Sequence, residues 1–110
     1  MNTYRLRHYL ARDGADLYQQ WLEGLRDRTA KIAVIRRMTR LERGLFGDCK
    51  PLREGVWEAR IDVGAGYRVY YAVVGEQVIL LTNGGDKRTQ DADIERAIGY
   101  LKDWRQRNET

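Results

Sequence analysis

At 110 residues the chain is sized for one domain, residues 1–110, and its 43% apolar content suffices for a core while 33% charged residues solvate the surface. No apolar stretch reaches the length of a membrane-spanning helix or a signal peptide, and the lone Cys49 excludes an internal disulfide, which fits a reducing, cytoplasmic setting with no membrane partner. The net charge of +4 directs attention to polyanions and acidic protein segments, so where the bases lie matters more than how many there are.

Tyr4 to Leu10 alternates Tyr4, Leu6, His8 and Leu10 with Arg5, Arg7 and Tyr9, the period of a strand, which Asp13-Gly14 ends. A first helix carries Leu17, Trp21, Leu22 and Leu25 on one face and frays at Gly24. Asp27 suits the N-cap of a second helix with the stripe Ala30, Ala33, Val34, Met38, Leu41 and Leu45, stopped by Gly44 and Gly47. The short turn between the two predicts an antiparallel helical hairpin. Between Arg26 and Arg43 seven bases face two acids, a balance of +5 that exceeds the whole chain's charge. Arg36, Arg40 and Arg43 share a face at i, i+4, i+7, either a solvated surface or a footprint for nucleic acid or an acidic partner.

Gly47 to Leu52 reads as a loop. Trp57, Ala59, Ile61 and Val63 then alternate with Glu58, Arg60 and Asp62, a strand with one buried face. Gly64-Ala65-Gly66 turns the chain, Tyr67 to Val74 is β-rich, Gly75-Glu76 suits a hairpin turn, and Gln77 to Thr82 closes a three-stranded meander. Asn83 to Lys87 reads as a loop, and Thr89 as the cap of a last helix with Asp91 and Asp93 in its first turn and Ile94, Ala97, Ile98, Leu101 and Trp104 as its apolar stripe. The expected class is α+β.

A three-residue turn at Gly64 to Gly66 places Arg60 directly opposite Arg68. Like charges across a sheet are unfavourable unless acids such as Glu58 or Asp62 compensate them, or an anion sits between the two forks. Lys87 and Lys50 are candidates for the same cationic patch, whose alternative is a salt-bridged surface. An arginine at the surface, as Arg68 is read here, contributes little to stability. Cys49 reads as an inert loop cysteine and His8 as a structural histidine. No cofactor motif, metal-ligand cluster, Ser-His-Asp arrangement or phosphate loop is present.

Arg40-Leu41 with Gly44, Gly47-Asp48, Lys50-Pro51-Leu52, Gly55 to Ile61, Gly66 to Tyr71, and Gly84 to Lys87 with Gln90, Asp93-Ile94 and Ala97 occur in a characteristic order. From about Trp21 to Ile98 the chain resembles the RelE/ParE superfamily of toxins from type II toxin–antitoxin modules, and most closely its HigB-like, addiction-module killer branch. The resemblance implies a helical hairpin packed on a small antiparallel sheet, β-α-α-β-β-β, with a C-terminal helix. It implies ribosome-dependent cleavage of mRNA with no cofactor or metal, and a cognate helix-turn-helix antitoxin. ParE-like inhibition of DNA gyrase, or an inactive toxin-like role in autoregulation, is the alternative.

Carried over by residue, the resemblance makes Arg68, Arg60 and Lys87 site residues. A metal-free ribonuclease also needs a base and an acid, for which Asp86 or Glu58 and Lys87 are the candidates, and the bases Lys50, Arg53, Arg36, Arg40 and Arg43 are the candidate RNA-binding set. A lysine of the best-known ribonuclease members falls at Glu58, and their C-terminal tyrosine or histidines have no counterpart.

Overall fold

The computed structural model describes residues 3–108. In chain order the elements are β1 (Arg5–His8), α1 (Leu17–Glu23), α2 (Arg28–Glu42), β2 (Cys49–Pro51), β3 (Trp57–Ile61), β4 (Tyr67–Gly75), β5 (Val78–Asp86), a single 3-10 turn (Lys87–Thr89) and α3 (Gln90–Arg107). They form one five-stranded sheet in the order β1-β5-β4-β3-β2, with α1 and α2 against one face and α3 against the other. The class is α+β, compatible with a RelE-like fold. β2, β3, β4 and β5 pair antiparallel, but β1 joins β5 in parallel, Arg5 beside Val78 and His8 beside Leu81, so the sheet is mixed rather than wholly antiparallel.

The hairpin forms where the caps place it. Asp16 accepts from the Gln19 amide at the head of α1, and Asp27 accepts from Ala30 at the head of α2, as its position predicts. Tyr18 and Leu22 of α1 and Val34, Met38 and Leu41 of α2 meet Ala59, Ile61, Val69, Tyr71, Ile79 and Leu81 of the sheet. Leu45 departs from the expected stripe: α2 stops at Glu42, Gly44 turns at φ 79°, and Leu45 is left exposed. The second core sets Val56, Tyr70, Ala72 and Leu80 against Ile94, Ala97, Ile98 and Leu101 of α3.

Because helices cover both faces, strict alternation of inside and outside fails in two places. Tyr9, expected to point to solvent, is buried against α3, stacking on Tyr100 at 5.0 Å and donating to Asp103 at 2.6 Å, while Leu10 is exposed. Glu58, read as part of the solvated face of its strand, is fully buried. Cys49 to Pro51, read as loop, is the edge strand β2; three residues containing a proline are too few to show a period.

The largest correction is at Asn83 to Asp86, which continue β5 instead of forming a loop. A register shift between Tyr70 and Tyr71 absorbs one extra residue at Thr82, after which Asn83 pairs with Tyr70, Gly84 with Val69 and Gly85 with Arg68. The two glycines are there for space. A β-carbon on Gly84 would fall within the Trp21 indole, and one on Gly85 within the Asp93 carboxylate, so α1 and the first turn of α3 clamp opposite faces of β5 at consecutive residues. The turn before β5 is Glu76-Gln77, one residue later than Gly75-Glu76, with Gln77 at φ 58°. Thr89 makes no side-chain cap to α3; its hydroxyl binds Asp93, and Asp86 is the residue that caps, closing a capping box with Thr89 around the 3-10 turn.

Candidate functional site

The antiparallel register of β3 and β4 fixes the central geometry: Arg60 stands directly opposite Arg68. Both line a cleft of about 300 Å³ at the end of these strands, together with Lys87, Asp48, Asp62 and Tyr67. Lys87 enters from the 3-10 turn beyond β5 and lays its side chain over Gly66, whose φ of 78° lets the backbone turn close beneath it.

The two arginines are held differently. Arg60 is exposed, and its Nε and Nη2 donate to Asp48 Oδ1 at 3.3 and 3.2 Å. Its partner's position is set from behind by Arg37, which donates to the carbonyls of Phe46, Asp48 and Arg60 and so ties α2 to the entry of β2 and to β3. Arg37 therefore leaves the pool of free bases on α2.

Arg68 is only 8% exposed. Its Nη1 donates to the Gly66 carbonyl at 3.0 Å, and its Nε lies 3.4 Å from Glu58 Oε2. Glu58 also accepts from Gln90 Nε2 of α3 at 2.8 Å. Arg68 is thus not the surface arginine expected from the strand pattern, which removes the ground for expecting it to contribute little to stability. Beside Glu58, the Tyr70 phenol is pushed well above its ordinary pKa, by burial first and then by the Glu58 and Asp93 charges.

The remaining sequence-derived candidates are distributed away from the cleft. Asp86 turns its carboxylate to Arg88, accepting from the backbone amide at 2.8 Å and from the guanidinium at 3.2 Å. These bonds, the Arg88 side chain's first, hold its pKa below the usual 3.8. Lys50 is exposed on β2 opposite Glu58, and Arg53 pairs with Glu95 of α3. Arg36 and Arg40 are exposed on α2, and Arg43 follows its last turn; none of these five lines the cleft. His8 binds Asp16 through Nδ1 at 2.7 Å and meets Tyr18 edge-on. Asp48 and Tyr67 are the cleft residues that spacing alone did not single out. Their signal was adjacency: Asp48 follows Gly47 before Lys50-Pro51, and Tyr67 precedes Arg68.

Electrostatically the cleft gathers three cations, of which Asp48 compensates one from within and Glu58 another from beneath. Lys87 has no carboxylate partner among the described residues. Such an arrangement can take a phosphodiester between two planar forks and an ammonium.

A family model described as phage-derived protein Gp49-like matches residues 20–100. An uncharacterized protein of Haemophilus influenzae (strain Rd) is 44% identical over 80 residues, which is 73% of this chain and 81% of that protein. The match spans α1 to α3 and takes in the whole cleft. The chain belongs to the Gp49-like family, a family of RelE/ParE-like toxins of toxin–antitoxin systems.

Proposed function

We propose that this toxin is a metal-independent endoribonuclease of the HigB-like kind that cuts mRNA on the ribosome and is silenced by a helix-turn-helix antitoxin. The observation that carries the reading is the facing pair Arg60 and Arg68 with Lys87 over one cleft. Cleavage next to a ribose 2′-OH gathers negative charge on the phosphoryl oxygens, and fixed cations stabilise that charge without reorganising. Proton transfer needs a base for the 2′-OH and an acid for the leaving 5′ oxygen. Glu58 lies beneath Arg68 rather than in the cleft, and Asp86 is engaged with Arg88, so the carboxylates within reach are Asp48 and Asp62, and Tyr67 is the phenol beside them. The cleft is short, which suits a substrate presented by the ribosome better than free RNA.

The test is induction of the chain without its neighbouring gene, followed by primer extension on translated messages. New 5′ ends that vanish with Arg60→Ala support the nuclease reading. Arrest with intact messages and gyrase-dependent DNA breaks overturns it in favour of the ParE-like reading.

A further inference from the structure

A carboxylate with no exposed surface in the middle of a three-layer domain is costly, and replacing a buried ion pair by apolar side chains is often neutral or stabilising. Glu58 is nevertheless at the centre of one. Its cross-strand neighbour on β4 is Tyr70, and the neighbour of Tyr70 on β5 is Asn83, so three strands present a row of buried polar side chains beneath the start of α3. Asn83 is tied to α3 by donating to the Asp93 carbonyl at 3.1 Å, and Glu58 by accepting from Gln90. The row is a floor fastened to the helix above it. Stability gives no reason to build that floor from polar groups.

What it does reach is the guanidinium of Arg68. We propose that Glu58 is a positioning residue: anchored by Gln90, it sets its charge 3.4 Å from Arg68 Nε, an ion-pair contact without hydrogen-bond alignment, while the Gly66 carbonyl accepts from Nη1, and the two together hold the fork toward the cleft. Nη2 has no protein partner among the described residues and is left for the ligand. The two facing arginines therefore have different tasks. Arg60, exposed and paired with the equally exposed Asp48, can follow the substrate; Arg68 is set before the substrate arrives. Preorganised donors are the ones that act on a transition state, and a displacement of about 1 Å in a reacting group costs on the order of 100-fold in rate. This proposal rests on reading the cleft as a phosphodiester site.

Glu58→Gln tests it, because it keeps the size and polarity of the side chain and removes the charge that orients Nε. In single-turnover cleavage of a ribosome-bound message, the maximal rate is expected to fall at least about tenfold. The toxin concentration giving half that rate should change less than about threefold, since Arg60 and Lys87 still bind. A folded Glu58→Gln protein that keeps the wild-type maximal rate overturns the proposal.

A second measurement needs no variant and no nuclease activity. In nitrogen-15 spectra of the wild-type protein, the Arg68 Nε–H should be resolved and exchange slowly with solvent, before and after addition of inorganic phosphate, while that of Arg60 exchanges fast. Equal, fast exchange at both arginines sinks the positioning role. A wild-type protein that cleaves nothing on the ribosome overturns the nuclease reading alone, and the spectra then decide the positioning role by themselves.

Discussion

Arg60 and Arg68 face each other across β3 and β4, yet each answers to a different carboxylate, Asp48 in the open and Glu58 in the interior. Equivalent places in the sheet thus produce one ion pair of the kind that contributes about 0–1 kcal/mol and one whose disruption is expensive.

The first expectation follows from that asymmetry. Arg68→Ala removes the partner of a fully buried carboxylate, so it should lower stability by about 3–5 kcal/mol as well as abolish toxicity. Arg60→Ala should cost less than about 1 kcal/mol while also impairing toxicity. Urea unfolding of both variants measures the difference; equal, small losses would show that Glu58 is satisfied without Arg68. For function, Arg68→Lys is the more informative change, because it keeps the charge and removes the bidentate fork. Partial toxicity is expected from it.

The glycine clamp on β5 gives the second. Gly84→Ala drives a methyl into the Trp21 ring and Gly85→Ala into the Asp93 carboxylate. Each should destabilise by about 1–3 kcal/mol or more, the range for overpacked sites. Combining Gly84→Ala with Trp21→Leu should recover part of the loss by making room. Thermal unfolding checks both, and a Gly84→Ala protein as stable as wild type would contradict the clamp.

Acid stability is the third. The Asp103 carboxyl is held below its ordinary 3.8, first by the Tyr9 hydroxyl and then by Arg12 and Arg107; Asp86 is held below it first by the Arg88 side chain. A depressed value in the folded state means that the unfolded chain binds the proton more readily. The contribution is therefore present above about pH 4 and is lost as pH falls through the folded value. Asp103→Asn should flatten the decline of the urea midpoint between about pH 4 and pH 2, with little change in its shape above pH 5. An unchanged acid limb would show that other carboxylates govern it.

The exposed bases of α2 give the fourth. Arg36 and Arg40 are exposed, make no ion pair among the described residues and lie outside the cleft. If acidic groups of the antitoxin are steered by them, Arg36→Glu/Arg40→Glu should slow association by about tenfold at low salt, and the salt dependence should shrink, because such steering is screened over about 8–10 Å at physiological ionic strength. Stopped-flow association across a salt series reads it. Unchanged on-rates would assign this face to solvent alone.

Some local signals in the sequence were read correctly, while others, such as Thr89 as the cap of α3 and Gly75-Glu76 as the hairpin turn, were not. Asp27 caps the helix it precedes, Gly24 ends α1, and the Gly64 to Gly66 turn sets the register that opposes Arg60 to Arg68. What escaped depends on contacts from afar. Glu58 alternates as an exposed residue does, and only α3, more than 30 positions later, makes that face an interior. Gly84-Gly85 looks like a loop because glycine is a poor strand former, and nothing near it reveals that Trp21 and Asp93 occupy the missing side chains' places. Asp86 was a candidate base for the cleft; the capping box turns its carboxylate toward Arg88 instead.

The parallel seating of β1 also bears on the order in which the chain can fold. β1 borders no strand but β5, joining Arg5 to Val78, and Tyr9 just beyond it is secured by Asp103 of α3. The earliest strand made is thus among the last to find its place, a high-contact-order arrangement that slows folding. α3 also roofs the floor on which Arg68 rests. During synthesis Arg60 and Arg68 emerge well before residues 90–107, so the nascent chain holds its cations without the helix that orders them.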